Sequence, residues 1–454
     1  MKRIDFDNGK ITTNIFQAAI PMLIAQILSL LYNIVDRIYI ARIPDIGTTA
    51  LGAVGLCFPI IVIITAFSNL FGSGGAPIFA IERGRNDTKR AGMIMNTSFF
   101  MLTICSILLM CVGFLFARPI LTIFGASDNA LIYAYPYIMI YLIGTFPSMI
   151  ATGMNPFINA QGYATTGMIS VIIGAIANIV LDPLFIFVFH LGIRGAAIAT
   201  VLSQCLSAGF VFYFLSKKAE YKIRLLHKEE IKNCGKDAKN IVSLGTAGFV
   251  MQLTNSLVTI CCNNVLEATG GDVYVSVMTI ISSVRQMIET PIWSISEGSS
   301  PIISYNYGAK NVDRVRGTFR LLLKVSVGYA VILWLCVELF PQIFVSMFTS
   351  DAALLAFGKT ALRVYMAAMF MFGFQIACQM GFTSLGCAPE SIIVAVMRKF
   401  VLLIPLIYIV PHIWSADRTM GVYLAEPIAD FFAVTFTMIL FSNRFKKALK
   451  KIEK

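Results

Sequence analysis

Along the chain, apolar positions run in near-continuous stretches, and charged residues, glycine and proline collect in the short segments between them. The stretches lie at 14–41, 51–81, 92–116, 130–152, 163–190, 195–216, 240–267, 273–303, 318–340, 358–380, 391–412 and 420–443. A transmembrane helix needs about 20 apolar residues, so each of the twelve is long enough to span a bilayer. Several are longer than a span requires, which predicts tilt or extension beyond the hydrocarbon. The expected fold class is all-α integral membrane, with twelve transmembrane helices.

Composition agrees with the pattern. Of 454 residues, 57% are hydrophobic and 13% charged, against roughly a quarter charged in soluble domains. A soluble globule of this make-up would leave large apolar patches in water, so that class is excluded. Thirty-six Lys and Arg against 24 Asp and Glu give a net charge of +12. The basic residues sit in the breaks between stretches, without an aromatic-interleaved basic face, so nucleic acid is not an expected partner. The ten cysteines show no C-x-x-C spacing and read as small buried hydrophobes. Three scattered histidines offer little for a zinc site or a His-based triad. The first stretch is too long for the core of a signal peptide and reads as the first span.

Charge also sets topology. Taking alternate connections, 23 Lys and Arg lie on one side and four, Arg42, Arg118, Arg194 and Arg418, on the other. The positive-inside rule then puts both termini and the basic segment 217–237 in the cytoplasm, with Cys234 the cysteine of that segment. The segment divides two halves that match at a shift of 224: Gly74, Pro77, Gly84, Arg90, Phe124, Tyr141 and Gly162 fall on Gly298, Pro301, Gly308, Arg314, Phe348, Tyr365 and Gly386. Gly195 falls on Gly421 at 226. This reads as a duplicated six-span unit, giving an N-terminal lobe at 1–216, a linker at 217–237 and a C-terminal lobe at 238–454. Because six is even, both copies enter the membrane from the same side, so a pseudo-two-fold axis along the membrane normal is expected, with a cavity between the lobes.

A carboxylate at mid-bilayer costs about 2.5 to 3.5 kcal/mol on insertion scales, so each one needs a reason. Asp36 lies in LLYNIVDRIYIA, with Tyr32 and Asn33 one turn back on the same face. Asp182 lies in ANIVLDPLFIF, with Asn178 one turn before it. Pro183 removes a backbone hydrogen bond, which predicts a hinge and a freed carbonyl beside Asp182. Asp36, Asn178 and Asp182 together offer oxygen ligands for a proton or a hard cation such as sodium. The alternative is that Asp36 pairs with Arg37 at the headgroups and Asp182 caps a kink. At the 224 shift Asp36 lands on Ile260 and Asp182 on Leu406, so a coupling site would be confined to the first half. The second half carries Arg285 and Glu289 four residues apart, a pair able to neutralise itself within one helix. Glu426 and Asp430 share a face of the last span, Glu426 near its outer end. The 21 Met, 35 Phe and 16 Tyr suit an adaptable apolar pocket.

Twelve spans in two halves, with IPMLIAQILSLLYNIVD, NPFINAQG, ANIVLDPLFIF and PIISYNYGAKN at their places, resemble the multidrug and toxic compound extrusion (MATE) transporters. The resemblance runs over essentially the full chain and is closest to the MepA-like bacterial branch. It implies a V-shaped pair of lobes that exports amphipathic, often cationic, organic compounds in exchange for H+ or Na+, with no other cofactor. It implies a cation-coupling site at Asp36, Asn155, Asn178, Asp182 and Thr200. Members of the NorM type use second-lobe carboxylates where this chain has Asn255 and Gln375, which favours first-lobe coupling. The candidate substrate cavity comprises Tyr32, Asn33, Asn255, Arg285, Glu289, Gln375 and Asp430.

The expected function is a monomeric, cation-coupled antiporter in a bacterial inner membrane, working by alternating access. The alternative is a flippase for a lipid-linked saccharide, which needs a large cationic cavity, whereas Arg and Lys well inside the spans, such as Arg285, Lys324, Arg398 and Lys399, are few. An enzyme is not expected, because no metal motif or G-x-S-x-G nucleophile is present.

Overall fold

The structure is a computed structural model that describes residues 3–44, 46–349, 351–414 and 417–453. Among these residues the ordered elements are helical, with no strand. Helix is what hydrocarbon demands of a single segment, because each backbone N–H and C=O must find its partner within that segment.

The first half contains α1 (Ile11–Ala41), α2 (Gly47–Gly84), α3 (Thr88–Ile123), α4 (Asp128–Ile143), α5 (Thr145–Ala160), α6 (Ala164–Pro183) and α7 (Gly192–Tyr213). A short helix, α8 (Lys228–Asn233), precedes the second half: α9 (Gly235–Gly270), α10 (Asp272–Gly308), α11 (Val312–Leu339), α12 (Pro341–Ser346), α13 (Ala352–Met366), α14 (Phe372–Ser384), α15 (Ala388–Val396), α16 (Ile404–Ile413) and α17 (Arg418–Glu453). Ten helical runs are long and apolar enough to cross a membrane, and α4 with α5 makes an eleventh. α10 is as long, at 37 residues, but carries Arg285, Glu289 and Glu297; it is the twelfth span. Leu115, Ile123, Ile176, Val180, Phe432 and Ile439 are exposed along these helices, as lipid-facing side chains are.

Two spans expected to be single helices are broken. α4 and α5 meet at 56° around Gly144. Pro147 in the first turn of α5 has no N–H for the Ile143 carbonyl, so the helix cannot run straight through. Glycine suits the corner, since a Cβ at 144 would stand 2.7 Å from Gln204 Oε1 and 2.9 Å from Val201 Cγ2. In the second half the corresponding break lies between α13 and α14, at a single 3₁₀ turn, Met369–Met371.

The repeat recurs in backbone detail. α2 ends at Gly84 and α10 at Gly308, and each is followed two residues later by a residue with positive φ, Asn86 at 60° and Lys310 at 59°. Asp87 caps α3 by accepting from Arg90 N at 2.9 Å, and Asn311 caps α11 by accepting from Arg314 N at 3.1 Å. Gly162 and Gly386 turn with φ of 92° and 71°.

The chain forms two compact units, Met1–Gly9 with Ile20–Gly245, and Lys10–Ala19 with Thr246–Lys454. The first turns of α1 thus belong to the second unit, where a Cβ on Gly298 would press on the Ala19 backbone. The first turns of α9 belong to the first unit, where Gly74 lies against Ile241 and Gly245.

Part of the linker is an extended strap. Tyr221 N donates to Gln161 Oε1 at 3.0 Å and Arg224 N to Asn96 Oδ1 at 3.0 Å. Both acceptor side chains are buried. Arg224 also grips Glu230 with two guanidinium nitrogens. That grip, with the His227 N–H, holds the Glu230 carboxyl down at about 2. Cys234 is buried, its Sγ donating to Ile231 O.

Candidate functional site

Asp182 is fully buried on the last turn of α6. Pro183 follows it and offers no N–H to the carbonyl four residues back, and the chain continues as a wider π turn, Leu184–Val188. α7 lies close against that turn because residue 195 is glycine: a Cβ there would stand 2.6 Å from Phe185 O. The close approach brings Thr200, five residues further on, to Asn178. Asn178 Nδ2 donates to Asp182 Oδ1 at 3.2 Å and to Thr200 Oγ1 at 3.4 Å.

α1 supplies Asp36, whose carboxyl lies within hydrogen-bonding reach of Asp182. Tyr32 on α1 and Tyr137 on α4 lie near the carboxyls. Tyr141, one turn from Tyr137, accepts from Gln204 Nε2 at 3.2 Å.

Three oxygens of this cluster, Asp36 Oδ1, Asn178 Oδ1 and Asp182 Oδ2, are buried without a hydrogen-bond partner. Two carboxyls side by side do not both stay ionised without a cation between them; lacking one, the pair holds a proton. The donor set is made only of hard oxygens, carboxyl, amide and hydroxyl, which fits a proton or sodium. No group of three or more His, Cys, Asp or Glu able to hold a metal ion occurs among the described residues.

The other first-half candidates divide. Asn155 Nδ2 donates to Gly167 O at 3.0 Å and to Ser170 Oγ at 2.8 Å, while its Oδ1 accepts from Asn159. Ser170 precedes Asn178 by eight residues, about 12 Å along the helix axis, so these bonds tie Asn155 lower on α6 than the carboxyls. Asn33 is exposed and donates to Ser29 O at 2.6 Å.

The second unit has a polar centre of different make-up. Arg285 donates to Glu289 and to Glu426 and lies 3.5 Å from Asp430. Arg398, on a π segment at Met397–Leu403, donates to Asp430 Oδ1 at 2.7 Å, and Lys399 to Glu426 Oε1 at 3.2 Å. Three cations thus face three carboxylates, and the group is neutral. Tyr365 and Phe372 present ring faces to Arg285 at 5.4 and 5.8 Å, and Phe372 to Arg398 at 5.4 Å. Of the remaining candidates, Gln375 is buried with Oε1 unpartnered, and Asn255 is exposed on α9.

Sequence reasoning singled out Asp36, Asn178, Asp182 and Thr200, which come together, but missed Tyr137 and Gln204. It also treated Glu426 as peripheral, whereas Glu426 is buried and touched by three cations. The missing signal was the repeat itself. At the Gly195 to Gly421 shift of 226, Thr200 falls on Glu426 and Gln204 on Asp430, while Tyr141 falls on Tyr365 at 224. Both units therefore hold a polar centre at matching places on their last long helix; among the described residues the carboxylates of the second are held by cations, whereas those of the first keep buried oxygens without a partner.

The MatE family model matches this chain at residues 21–184 and 247–409. The multidrug export protein MepA of Staphylococcus haemolyticus is 24% identical over 97% of this chain and 96% of its own length. MepA of Staphylococcus aureus is 23% identical over 96% and 95%. Among solved structures, an outward-facing multidrug resistance MATE family transporter of the MOP superfamily superposes with a TM-score of 0.88, at 24% identity over 99% of both chains. A MOP superfamily transporter from Pyrococcus furiosus, described as having a binding pocket of reversed polarity, reaches 0.89 at 23% identity over 100% of this chain and 99% of its own.

Proposed function

The chain belongs to the MatE family, and from that premise we propose that it is a secondary active exporter of amphipathic, often cationic, organic compounds, driven by inward H+ or Na+ and working by alternating access. It is a multi-pass membrane protein. We place it in the bacterial inner membrane with both termini in the cytoplasm, on the strength of the 23 to 4 distribution of basic residues.

One observation carries the coupling assignment: Asp36, Asn178 and Asp182, which lie within hydrogen-bonding reach of one another in series, each keep a buried oxygen without a partner. An ion bound there satisfies all three and cancels the repulsion between the carboxyls. If the arrangement of helices that brings the carboxyls together binds the ion more tightly than the alternative, occupancy shifts the population toward it by that difference. Pro183 and the π turn behind it are where the helix can bend as the population shifts. Tyr32 and the neighbouring aromatics belong to the wall against which an organic cation rests in our reading.

The flippase alternative loses support in the second unit. Three of the cations well inside its spans, Arg285, Arg398 and Lys399, are neutralised by Glu289, Glu426 and Asp430 and have no charge to spare for a pyrophosphate.

The test is efflux of a fluorescent cationic dye from proteoliposomes, with sodium and pH gradients imposed separately. An exporter of this kind responds to at least one gradient. Indifference to both overturns the coupled mechanism, and the gradient that acts identifies the ion.

A further inference from the structure

Outside the coupling cluster, the first unit has a cavity of about 310 Å³ between the first two turns of α3 and the extended strap. Thr88, Lys89 and Asn96 line it from the helix, and Glu220, Lys222 and Arg224 from the strap. Two features mark it as built for a ligand. Asn96 is only 2% exposed; its Oδ1 is used by Arg224 N, but its Nδ2 donates to no protein group among the described residues and borders the cavity. Lys89 and Lys222 are exposed cations with no ion-pair partner among the described residues. The one carboxylate on the rim, Glu220, is taken up by Arg3 at 2.8 Å and Arg83 at 3.9 Å. Arg224 is balanced by Glu230. What remains for a ligand is two ammonium groups, a hydroxyl and a buried amide N–H, a set of donors with no free acceptor charge, which is the chemistry of a phosphate receptor.

The surroundings give the source of the phosphate. Thr88 is the first residue of a helix long and apolar enough to cross a membrane, four residues before its apolar stretch begins at 92, so the cavity sits at the end of a span, where headgroups are within reach. Leu225, 79% exposed next in the chain to the lining residue Arg224, is an apolar side chain that acyl chains would cover.

We propose that this cavity binds the phosphodiester of an anionic phospholipid, with Lys89 and Lys222 closing on its oxygens and Asn96 Nδ2 donating from below. A lipid so held ties α3 to the strap that leads into the second half of the chain. The site is independent of the transport reading, since none of its residues takes part in the coupling cluster.

The test uses the purified full-length protein in phosphatidylcholine nanodiscs, with phosphatidylglycerol titrated in and thermal melting and lipid retention by native mass spectrometry as readouts. Each lysine at an anionic surface is worth roughly a factor of five in affinity, so Lys89→Gln/Lys222→Gln should weaken phosphatidylglycerol binding about 25-fold. A control pair on the C-terminal helix, Lys446→Gln/Lys447→Gln, should leave it unchanged. Water-soluble glycerol phosphate is the second arm. If it stabilises the protein as well as phosphatidylglycerol does, the lipid assignment fails and a soluble phosphate ester is the ligand. Equal phosphatidylglycerol binding by the wild type and the double variant overturns the site altogether.

Discussion

Asp36 and Asp182, 146 positions apart in the chain, bring their carboxyls within hydrogen-bonding reach, and Asn178 links the second of them to Thr200. Among the described residues neither carboxyl is in a salt bridge of the kind that holds Glu426 and Asp430, although the Arg37 charge acts on Asp36; in our reading a bound proton or cation supplies the rest of the balance. On the coupling mechanism proposed above, the pair would then respond to an ion gradient.

Asp182→Asn should therefore keep binding a cationic dye while the response of efflux to an imposed gradient falls about tenfold or more, because the ion's preference for one arrangement is what drives the cycle. Asn178→Ala, which removes one oxygen and the link to Thr200, should weaken the response only in part. Asp36→Asn should abolish export with near-normal assembly, since removing an intramembrane charge relieves an insertion cost. Dye binding by fluorescence polarisation and efflux in proteoliposomes separate these outcomes. Gradient-responsive efflux surviving in Asp182→Asn would move the coupling site elsewhere.

In the second unit the protein supplies its own cation. Arg285 is the shared partner of Glu289, Glu426 and Asp430 in a buried place, and removing one member of such a group costs about 3–5 kcal/mol because the others stay charged. Arg285→Ala should lower the melting temperature sharply, and guanidinium ion at low millimolar concentration should restore part of the loss where sodium does not. Glu289→Gln should be mild, since that carboxylate is 23% exposed and Arg285 keeps two other partners. An Arg285→Ala protein that melts like the wild type would show that the cluster contributes nothing to stability.

How far the sequence carries this picture depends on whether a feature is local. The twelve spans were legible because about 20 unbroken apolar residues state the same thing wherever they occur. Asn178, Asp182 and Pro183 were legible because they occupy one turn of one helix. Pro147 made it legible that the fourth span can bend, but not the 56° angle or the corner at Gly144, where Gln204 and Val201 of α7 fit against the backbone. Nor was the second polar centre, because Arg398 and Lys399 lie beside Phe400 in an apolar stretch. Their partners are on α17, more than 25 positions away, and only the register of the repeat pointed to them.

The matched glycines of the repeat give a packing prediction. A Cβ on Gly195 would stand 2.6 Å from Phe185 O, and one on Gly421 2.9 Å from Pro411 Cα, in both cases against backbone that cannot turn aside. Gly195→Ala and Gly421→Ala should each destabilise by about 1–3 kcal/mol, with the larger loss at 195. Gly209→Ala, in open space on the same helix as Gly195, should instead stabilise by about 0.5–1 kcal/mol through helix propensity. Melting of the three variants in one detergent checks the order, and a neutral Gly195→Ala would mean that the close approach of α7 to the π turn is not required.

Orientation can be tested at the linker, though not through its native cysteine. Cys234 is only 9% exposed and its Sγ is engaged with Ile231 O at 3.1 Å, so poor labelling there would say nothing about sidedness. Glu229, on the same short helix, is exposed, as is Asn129 in the first turn of α4, on the opposite side of the membrane by the charge count. An impermeant maleimide should label Asn129→Cys in intact cells and Glu229→Cys only in inverted vesicles, each compared with the wild type to subtract Cys111 and Cys205, which are exposed on spans. Labelling of Glu229→Cys from outside would invert the topology. It would also place the Lys89 and Lys222 cavity in the outer leaflet, so this experiment decides which leaflet the lipid titration addresses.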